Sequence, residues 1–312
     1  MKTGVVTKTT GSWHTVRDEE GNLIPCKVKG NFRIKGIRTT NPVAVGDIVD
    51  IGFIGEDGVG SIINIQPRKN YIIRKSINLS KEAHIIGANL DFAWLIATMK
   101  DPFTYSMFID RYLVTAEAYQ IPAGLIFNKW DIYSDGERDK LNEWKFIYEQ
   151  AGYPCIITSA ETGMGLEELK DAVRGKLSVF SGNSGVGKSS LINKIDPSLK
   201  LKTDTISEVH RAGKHTTTFS EMLFLKGGGR VIDTPGISGF GTVDIEKNEL
   251  YHFFPEIFEK SSGCQFHNCT HYHEPGCAVQ KAVVMGEISE MRYSNYLAMF
   301  EEEPGKYRQT PW

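Results

Sequence analysis

The chain has 312 residues, 40% hydrophobic and 24% charged, with a formal net charge of -2. That length exceeds one core and predicts about two or three domains, and the near-neutral charge excludes a wholesale polycation, so nucleic-acid contact requires a local basic patch. No run of 18 apolar residues occurs, IIGANLDFAWLIATM being broken by Asn89 and Asp91, and MKTGVVTKTTGSW carries no apolar leader core, so a cytoplasmic protein that does not span a membrane is expected.

Residues 1 to about 68 read as short strands. GVVTKTT, SWHTVRD, LIPCKVKG, DIVDIGFI and GSIINIQ are rich in β-branched residues, many in alternation. Gly-Ser, Glu-Gly-Asn, Val-Gly-Asp and Asp-Gly turns divide them. Five strands in about 65 residues predict a small all-β barrel of the oligonucleotide-binding (OB) type. Between Gly21 and Gly46 the charged residues are Lys27, Lys29, Arg33, Lys35 and Arg38, with no acid among them. With Phe32 inside it, that run offers a surface for tracking an RNA backbone; a solvated lysine face is the alternative.

Pro67-Arg68-Lys69-Asn70 reads as a linker. Strands and helices then alternate. FAWLIAT, IPAGLIF, PCIITSA and LSVFS read as buried strands, with helices over 108–118, 137–150 and 165–176. This alternation predicts a parallel sheet with helices on both faces. Glu221 to Asp233 reads as two strands turning at Gly227-Gly228-Gly229.

Asn128-Lys129-Trp130-Asp131 follows the strand IPAGLIF, at the end of a strand where α/β ligands bind. Asp131 can accept from both guanine N1–H and the exocyclic amine. Adenine offers neither there, and a buried carboxylate left unpaired costs about 1–3 kcal/mol or more. Asn128 and the stem of Lys129 can hold the base edge and face. Thr158-Ser159-Ala160 ends the next strand and offers a backbone contact to the base carbonyl.

Gly182 to Ser190 reads GNSGVGKSS and matches G-x-x-x-x-G-K-[ST] through Gly182, Gly187, Lys188 and Ser189. KLSVFS before it suits a strand. SLINKI after it, with Leu191, Ile192 and Ile195, suits a helix. Glycines let backbone N–H groups turn toward a phosphate, and the helix N-terminus adds partial positive charge. Lys188 can reach the β- and γ-phosphates, and the Ser189 hydroxyl can ligate Mg²⁺.

Asp233-Thr234-Pro235-Gly236 ends the strand RVID. Asp233 can hold Mg²⁺ through water, and the Gly236 N–H can sense the γ-phosphate. Among Thr216, Thr217 and Thr218 one is expected to close on Mg²⁺; the choice stays open, with Thr217 standing for the group. The base loop precedes the phosphate loop, the reverse of ordinary GTPases, so the central domain reads as circularly permuted. Ile237 follows Gly236 where many GTPases carry a water-orienting glutamine, so slow intrinsic hydrolysis is expected. His210 and His215 are candidate helpers or structural residues.

From about Asp244 the chain turns acidic, with six Lys/Arg against eleven Asp/Glu to its end. Helices are expected around 246–254, 279–285 and 287–302, with an extended tail after Pro304. Of five cysteines, three lie between 264 and 277 beside histidines. Cys264, Cys269, His271 and Cys277 form a Cys₃His set suited to one structural, tetrahedral Zn²⁺. His267 and His273 are alternative ligands. Cys26 and Cys155 read as buried thiols.

Taken together, the permuted order, GNSGVGKSS, HTTT, DTPGI and CxxxxCxHxxEPGC behind a small β-domain resemble the RsgA (YjeQ) family of small ribosomal subunit biogenesis GTPases. The resemblance covers nearly the whole chain. It implies an OB domain over 1–68, a permuted α/β P-loop GTPase domain over 69–240 and a mostly helical zinc-binding domain over 241–312. It implies a monomer that hydrolyses GTP to GDP on stimulation by the small ribosomal subunit, with Mg²⁺ at the nucleotide and the 16S rRNA as partner, in late subunit maturation. It carries nucleotide contacts onto Asn128, Lys129, Trp130 and Asp131, and onto Gly182, Asn183, Ser184, Gly185, Val186, Gly187, Lys188, Ser189 and Ser190. It carries zinc onto Cys264, Cys269, His271 and Cys277. Trp130 departs from the family's pattern, where a small aliphatic residue is usual.

Overall fold

The computed structural model describes residues 2–28, 42–56, 58–75, 83–202, 221–233 and 245–302. The expectations for Lys29, Phe32, Arg33, Lys35, Arg38, His210, His215, Thr216, Thr217, Thr218, Gly236, Ile237 and the tail after Pro304 lie outside them, as does the side chain of Asp233.

All five anticipated N-terminal strands form: β1 Lys2–Thr10, β2 Trp13–Asp18, β3 Leu23–Val28, β4 Ile48–Ile54 and β5 Gly60–Ile65. They pair in the order β1-β2-β3-β5-β4, and β4 returns to β1 to close the barrel. Alternation sets which side chains point inward. Val6, Val16, Ile24, Cys26, Val49, Ile51 and Ile62 fill the interior.

The segment read as a linker is tied down at both ends. Arg68 is buried against Asp47, with Nε–Oδ1 at 2.5 Å, and also donates to the Pro42 carbonyl at 2.7 Å. The buried Asn70 side chain holds Leu90 through its N–H and its carbonyl, at 2.8 and 2.9 Å. A hairpin not anticipated from the sequence follows, β6 Tyr71–Lys75 with β7 Ala83–Ala88. It places Ile72 in the main core, and the Ala88 N–H donates to Val45 of the barrel at 2.9 Å.

The central sheet runs β10 Cys155–Ile157, β9 Ala123–Phe127, β8 Phe92–Ala97, β11 Leu177–Ser181, β13 Gly229–Asp233 and β12 Glu221–Leu225. From β10 to β13 it is parallel; β12 is antiparallel to β13. The middle strands β8, β9 and β11 are almost wholly buried because helices cover both faces. One face packs on α1 Ser106–Ala118 and α2 Asp135–Gln150, through Tyr112, Leu113, Leu141 and Tyr148. The other packs on α3 Leu166–Val173 and α4 Lys188–Ile195, through Leu169, Val173, Leu191 and Ile192. β1 also pairs with β12, Lys8 opposite Glu221, so barrel and central sheet are one continuous sheet.

The C-terminal helices are a 3-10 stretch Lys247–Phe253, α5 Pro255–Ser261, α6 Ala278–Val284 and α7 Glu290–Glu301. Their core of Leu250, Phe254, Ile257, Val279, Ile288 and Tyr296 extends to Val114 of α1. Between α7 and α1 lies a buried ionic cluster. Arg292, 1% exposed, donates to Asp110 on α1 at 2.5 Å and to Glu256 on α5 at 2.7 and 3.0 Å. The Asn295 amide donates to the second Asp110 oxygen at 2.6 Å. Burial works against the guanidinium charge, but Asp110 and Glu256 outweigh it and hold the pKa well above its usual value.

Candidate nucleotide site and metal centre

The phosphate loop leaves β11 at Ser181 and enters α4 at Lys188, the strand–loop–helix context its sequence demanded. Two glycines are fixed by close approach. A Cβ on Gly182, at φ 148°, would lie 2.5 Å from the Ile96 carbonyl oxygen; one on Gly187, at φ 96°, would lie 2.4 Å from the Asn128 amide. Val186 is buried in the core below, which anchors the loop. Asn183, Ser184 and Gly185 form its outer rim. The Lys188 ammonium lies across it, donating to the Gly182 carbonyl at 2.7 Å and the Asn183 carbonyl at 3.1 Å. Ser189 and Ser190 follow in the first turn of α4, whose leading N–H groups have no partner within the helix.

The base loop leaves β9 at Phe127. Asn128 is 1% exposed, and its amide donates to the Val186 carbonyl at 2.8 Å, joining the two loops. Its side-chain oxygen accepts from the Thr158 hydroxyl at 3.0 Å and the Ala160 N–H at 3.3 Å. Lys129 takes a left-handed conformation, φ 70° and ψ 33°, and its ammonium donates to the Asp101 carbonyl. Burial lowers the Lys129 pKa, against Asp101 and Asp131, which raise it. The Trp130 N–H donates to the Thr158 carbonyl at 3.2 Å, and Arg138 lies 5.0 Å over its ring. That packing accommodates the unusual tryptophan as part of the wall. Asp131 is exposed and accepts from the Ser159 hydroxyl.

Sequence reasoning therefore named residues that the fold brings together from β9, β10 and the loop after β11. It missed the loop 98–105 after β8, which reaches the site through the Asp101 carbonyl and through Pro102, near Gly185. Nothing in that string signals a nucleotide. Asp233 closes β13 beside Phe180 of β11, so the chain after it starts next to the phosphate loop.

The donor atoms of Cys264, Cys269, His271 and Cys277 lie within 4.8 Å of one another. Cys264 Sγ is 3.9 Å from Cys277 Sγ, and His271 Nδ1 is 3.5 and 3.6 Å from those two sulfurs. Tetrahedral zinc with bonds of about 2.3 Å to sulfur and 2.0–2.1 Å to nitrogen requires separations of about 3.6–3.8 Å. The residues fit the ion, and four ligands would close its shell. His267 and His273 are outside the set. The surrounding loop is held by groups the sequence did not flag. Tyr293 donates to the His271 carbonyl at 2.6 Å and Tyr296 to the Thr270 carbonyl at 2.5 Å. Glu274 accepts from Thr270, Tyr272 and His273 N–H groups at 2.7, 3.1 and 3.2 Å. Burial would raise its pKa, but those bonds, with the Thr270 hydroxyl, hold it at about 2.

A phosphate loop and a guanine-type base loop on one parallel sheet, met along the chain in reversed order, define a circularly permuted P-loop GTPase. The chain belongs to the RsgA GTPase family: the model of that description matches residues 65–243, and the RsgA N-terminal domain model matches residues 3–62. It is a GTP-hydrolysing enzyme. A protein of Bacteroides fragilis named small ribosomal subunit biogenesis GTPase RsgA is 53% identical over 98% of both chains. One of the same name from Phocaeicola vulgatus is 55% identical over 98% of both. Among solved structures, YjeQ from Thermotoga maritima is 40% identical with a TM-score of 0.77, covering 96% of this chain and 97% of its own. YloQ, described as a circularly permuted GTPase, is 32% identical with a TM-score of 0.74, over 99% and 96%. No helix among the described residues is long and apolar enough to cross a membrane.

Proposed function

We propose that this GTPase binds the small ribosomal subunit, hydrolyses GTP on stimulation by it, and assists its late maturation through a nucleotide-controlled cycle of binding and release. One observation supports this above others. Barrel, permuted sheet and Cys–His cluster stand in a single chain that matches relatives of that name end to end.

In this reading residues 1–68, 69–240 and 241–312 are the working units, in a cytoplasmic monomer. Asp131 accepts from guanine N1–H and the exocyclic amine, with Asn128, Lys129, Trp130, Ser159 and Ala160 around the base. The Gly182–Ser190 backbone cradles the phosphates, Lys188 reaches the β- and γ-phosphates, and Ser189 serves Mg²⁺ with Asp233 and one of Thr216, Thr217 and Thr218. The Gly236 N–H senses the γ-phosphate. Zn²⁺, held by Cys264, Cys269, His271 and Cys277, supplies order rather than chemistry. Lys27 and the basic run after it meet the 16S rRNA backbone; Lys27 already lies 4.2 Å over the exposed Trp13 ring, a pair suited to stacking on nucleic acid.

Phosphate release with and without purified small subunits, run beside pelleting in GDP and in a non-hydrolysable GTP analogue, tests the cycle. Stimulation by roughly tenfold or more, a barrier change of about 1.4 kcal/mol, is expected, with tighter binding in the triphosphate state. Equal pelleting in both states without stimulation rejects the ribosomal reading.

A further inference from the structure

Tyr133 ends the 3-10 turn Trp130–Ile132 that carries Asp131. Its ring is 3% exposed and packs in the core under α1 and α2. Its hydroxyl is used twice. It accepts from the Met99 N–H at 3.0 Å and donates to the Asn128 carbonyl. Burial pushes the phenol pKa up, so the proton it donates is retained at neutral pH.

The two bonds join two segments that meet at Lys129. Met99 opens the loop whose Asp101 carbonyl holds the Lys129 ammonium, and Asn128 immediately precedes Lys129. Asn128 is 1% exposed, so all its polar groups need partners within the protein. Its N–H donates to Ala97 at 2.9 Å, its amide to Val186 at 2.8 Å, and its side-chain oxygen accepts from Thr158 at 3.0 Å. The Tyr133 hydroxyl takes the remaining group, the carbonyl. Without it that oxygen would be orphaned in the core. The simplest relief is rotation of the peptide between Asn128 and Lys129. Lys129, at φ 70°, occupies a conformation that an L-residue readily leaves, and its departure would carry Asp131 away.

We propose that Tyr133 is a positioning residue for guanine recognition, whose hydroxyl fixes the Asn128 carbonyl and with it the left-handed turn that presents Asp131 to the base. The proposal rests on the reading of Asp131 as the guanine acceptor. A misplaced carboxylate loses most at the exocyclic amine, so discrimination between guanine and hypoxanthine, which lacks that amine, reports on the turn.

The test compares wild type, Tyr133→Phe and Asp131→Asn. Affinities for GDP and inosine diphosphate, dissociation rates of a fluorescent GDP analogue, KM and kcat for GTP, and melting of the nucleotide-free protein are measured. Tyr133→Phe should release GDP about tenfold faster, lower the GDP-over-inosine-diphosphate preference at least threefold, and raise KM with kcat held. A lower melting temperature with preference and release rate intact would make the hydroxyl merely structural and overturn the proposal. Should Asp131→Asn leave GDP affinity intact, the reading of the base loop falls and the proposal with it. An effect of Asp131→Asn alone rejects Tyr133 and leaves the base reading standing.

Discussion

In the proposed reading base choice turns on Asp131, and among the described residues Ser159 holds its carboxylate from the side. Asp131→Asn exchanges an acceptor for a donor. GDP should bind more weakly and xanthosine diphosphate, with a carbonyl in place of the amine, more strongly; titrating both nucleotides against both proteins checks it. His14 bears on stability instead. It is 2% exposed inside the barrel, and neither ring nitrogen meets a partner among the described residues. Burial lowers its pKa from 6.5 to about 4. Protonation therefore favours the unfolded chain. Stability is full above pH 6.5 and falls as the pH drops toward 4, by roughly 3 kcal/mol at the lower end. Urea midpoints across that range should slope in the wild type and flatten in His14→Leu. Parallel slopes in the two proteins would remove the histidine from the account.

The Cys–His loop is an element without a core of its own; Glu274 and two tyrosines hold it, around four side chains placed to take one metal ion. Metal analysis should give about one zinc per chain, and Cys269→Ser should lose it. That variant should become protease-sensitive between 264 and 277 while binding GDP normally, because the central sheet is packed on both faces independently. A folded, zinc-free wild type would contradict the assignment. The loop and the nucleotide site were legible because their chemistry is local: thiols at ligand spacing, or glycines where a Cβ would strike Ile96 or Asn128. The strands were legible through period-two alternation. The hairpin β6–β7 was not, because YIIRK and AHIIGA carry adjacent isoleucines in place of alternation, and Ile72 serves a core shared with the barrel through Val45. Tyr133 carried no signal at all. Its two partners, Met99 and Asn128, are 34 and 5 residues away, and only the fold gathers them. Arg292 carried none either, because its partner Asp110 is 182 residues distant.

At the scale of the molecule, that ionic cluster joins the C-terminal helices to α1 in the central domain. Arg292→Met would leave the buried Asp110 and the half-buried Glu256 without their cation, a loss of about 3–5 kcal/mol. The C-terminal helices should then melt as a separate, earlier transition in calorimetry, with zinc retained. A single transition shifted as a whole would show that the packing of Val114 against Phe254 and Tyr296 suffices. Lys8 and Glu221, meeting at 3.0 Å on adjacent strands, lie 213 residues apart in the chain. Synthesis at about 5–20 residues per second separates their emergence by roughly 10–40 seconds. β1 does not wait alone, because the barrel it closes with β4, through β5, needs only residues up to 65. The barrel can therefore close early on the nascent chain and offer β1 as a template, on which β12 adds when it is made.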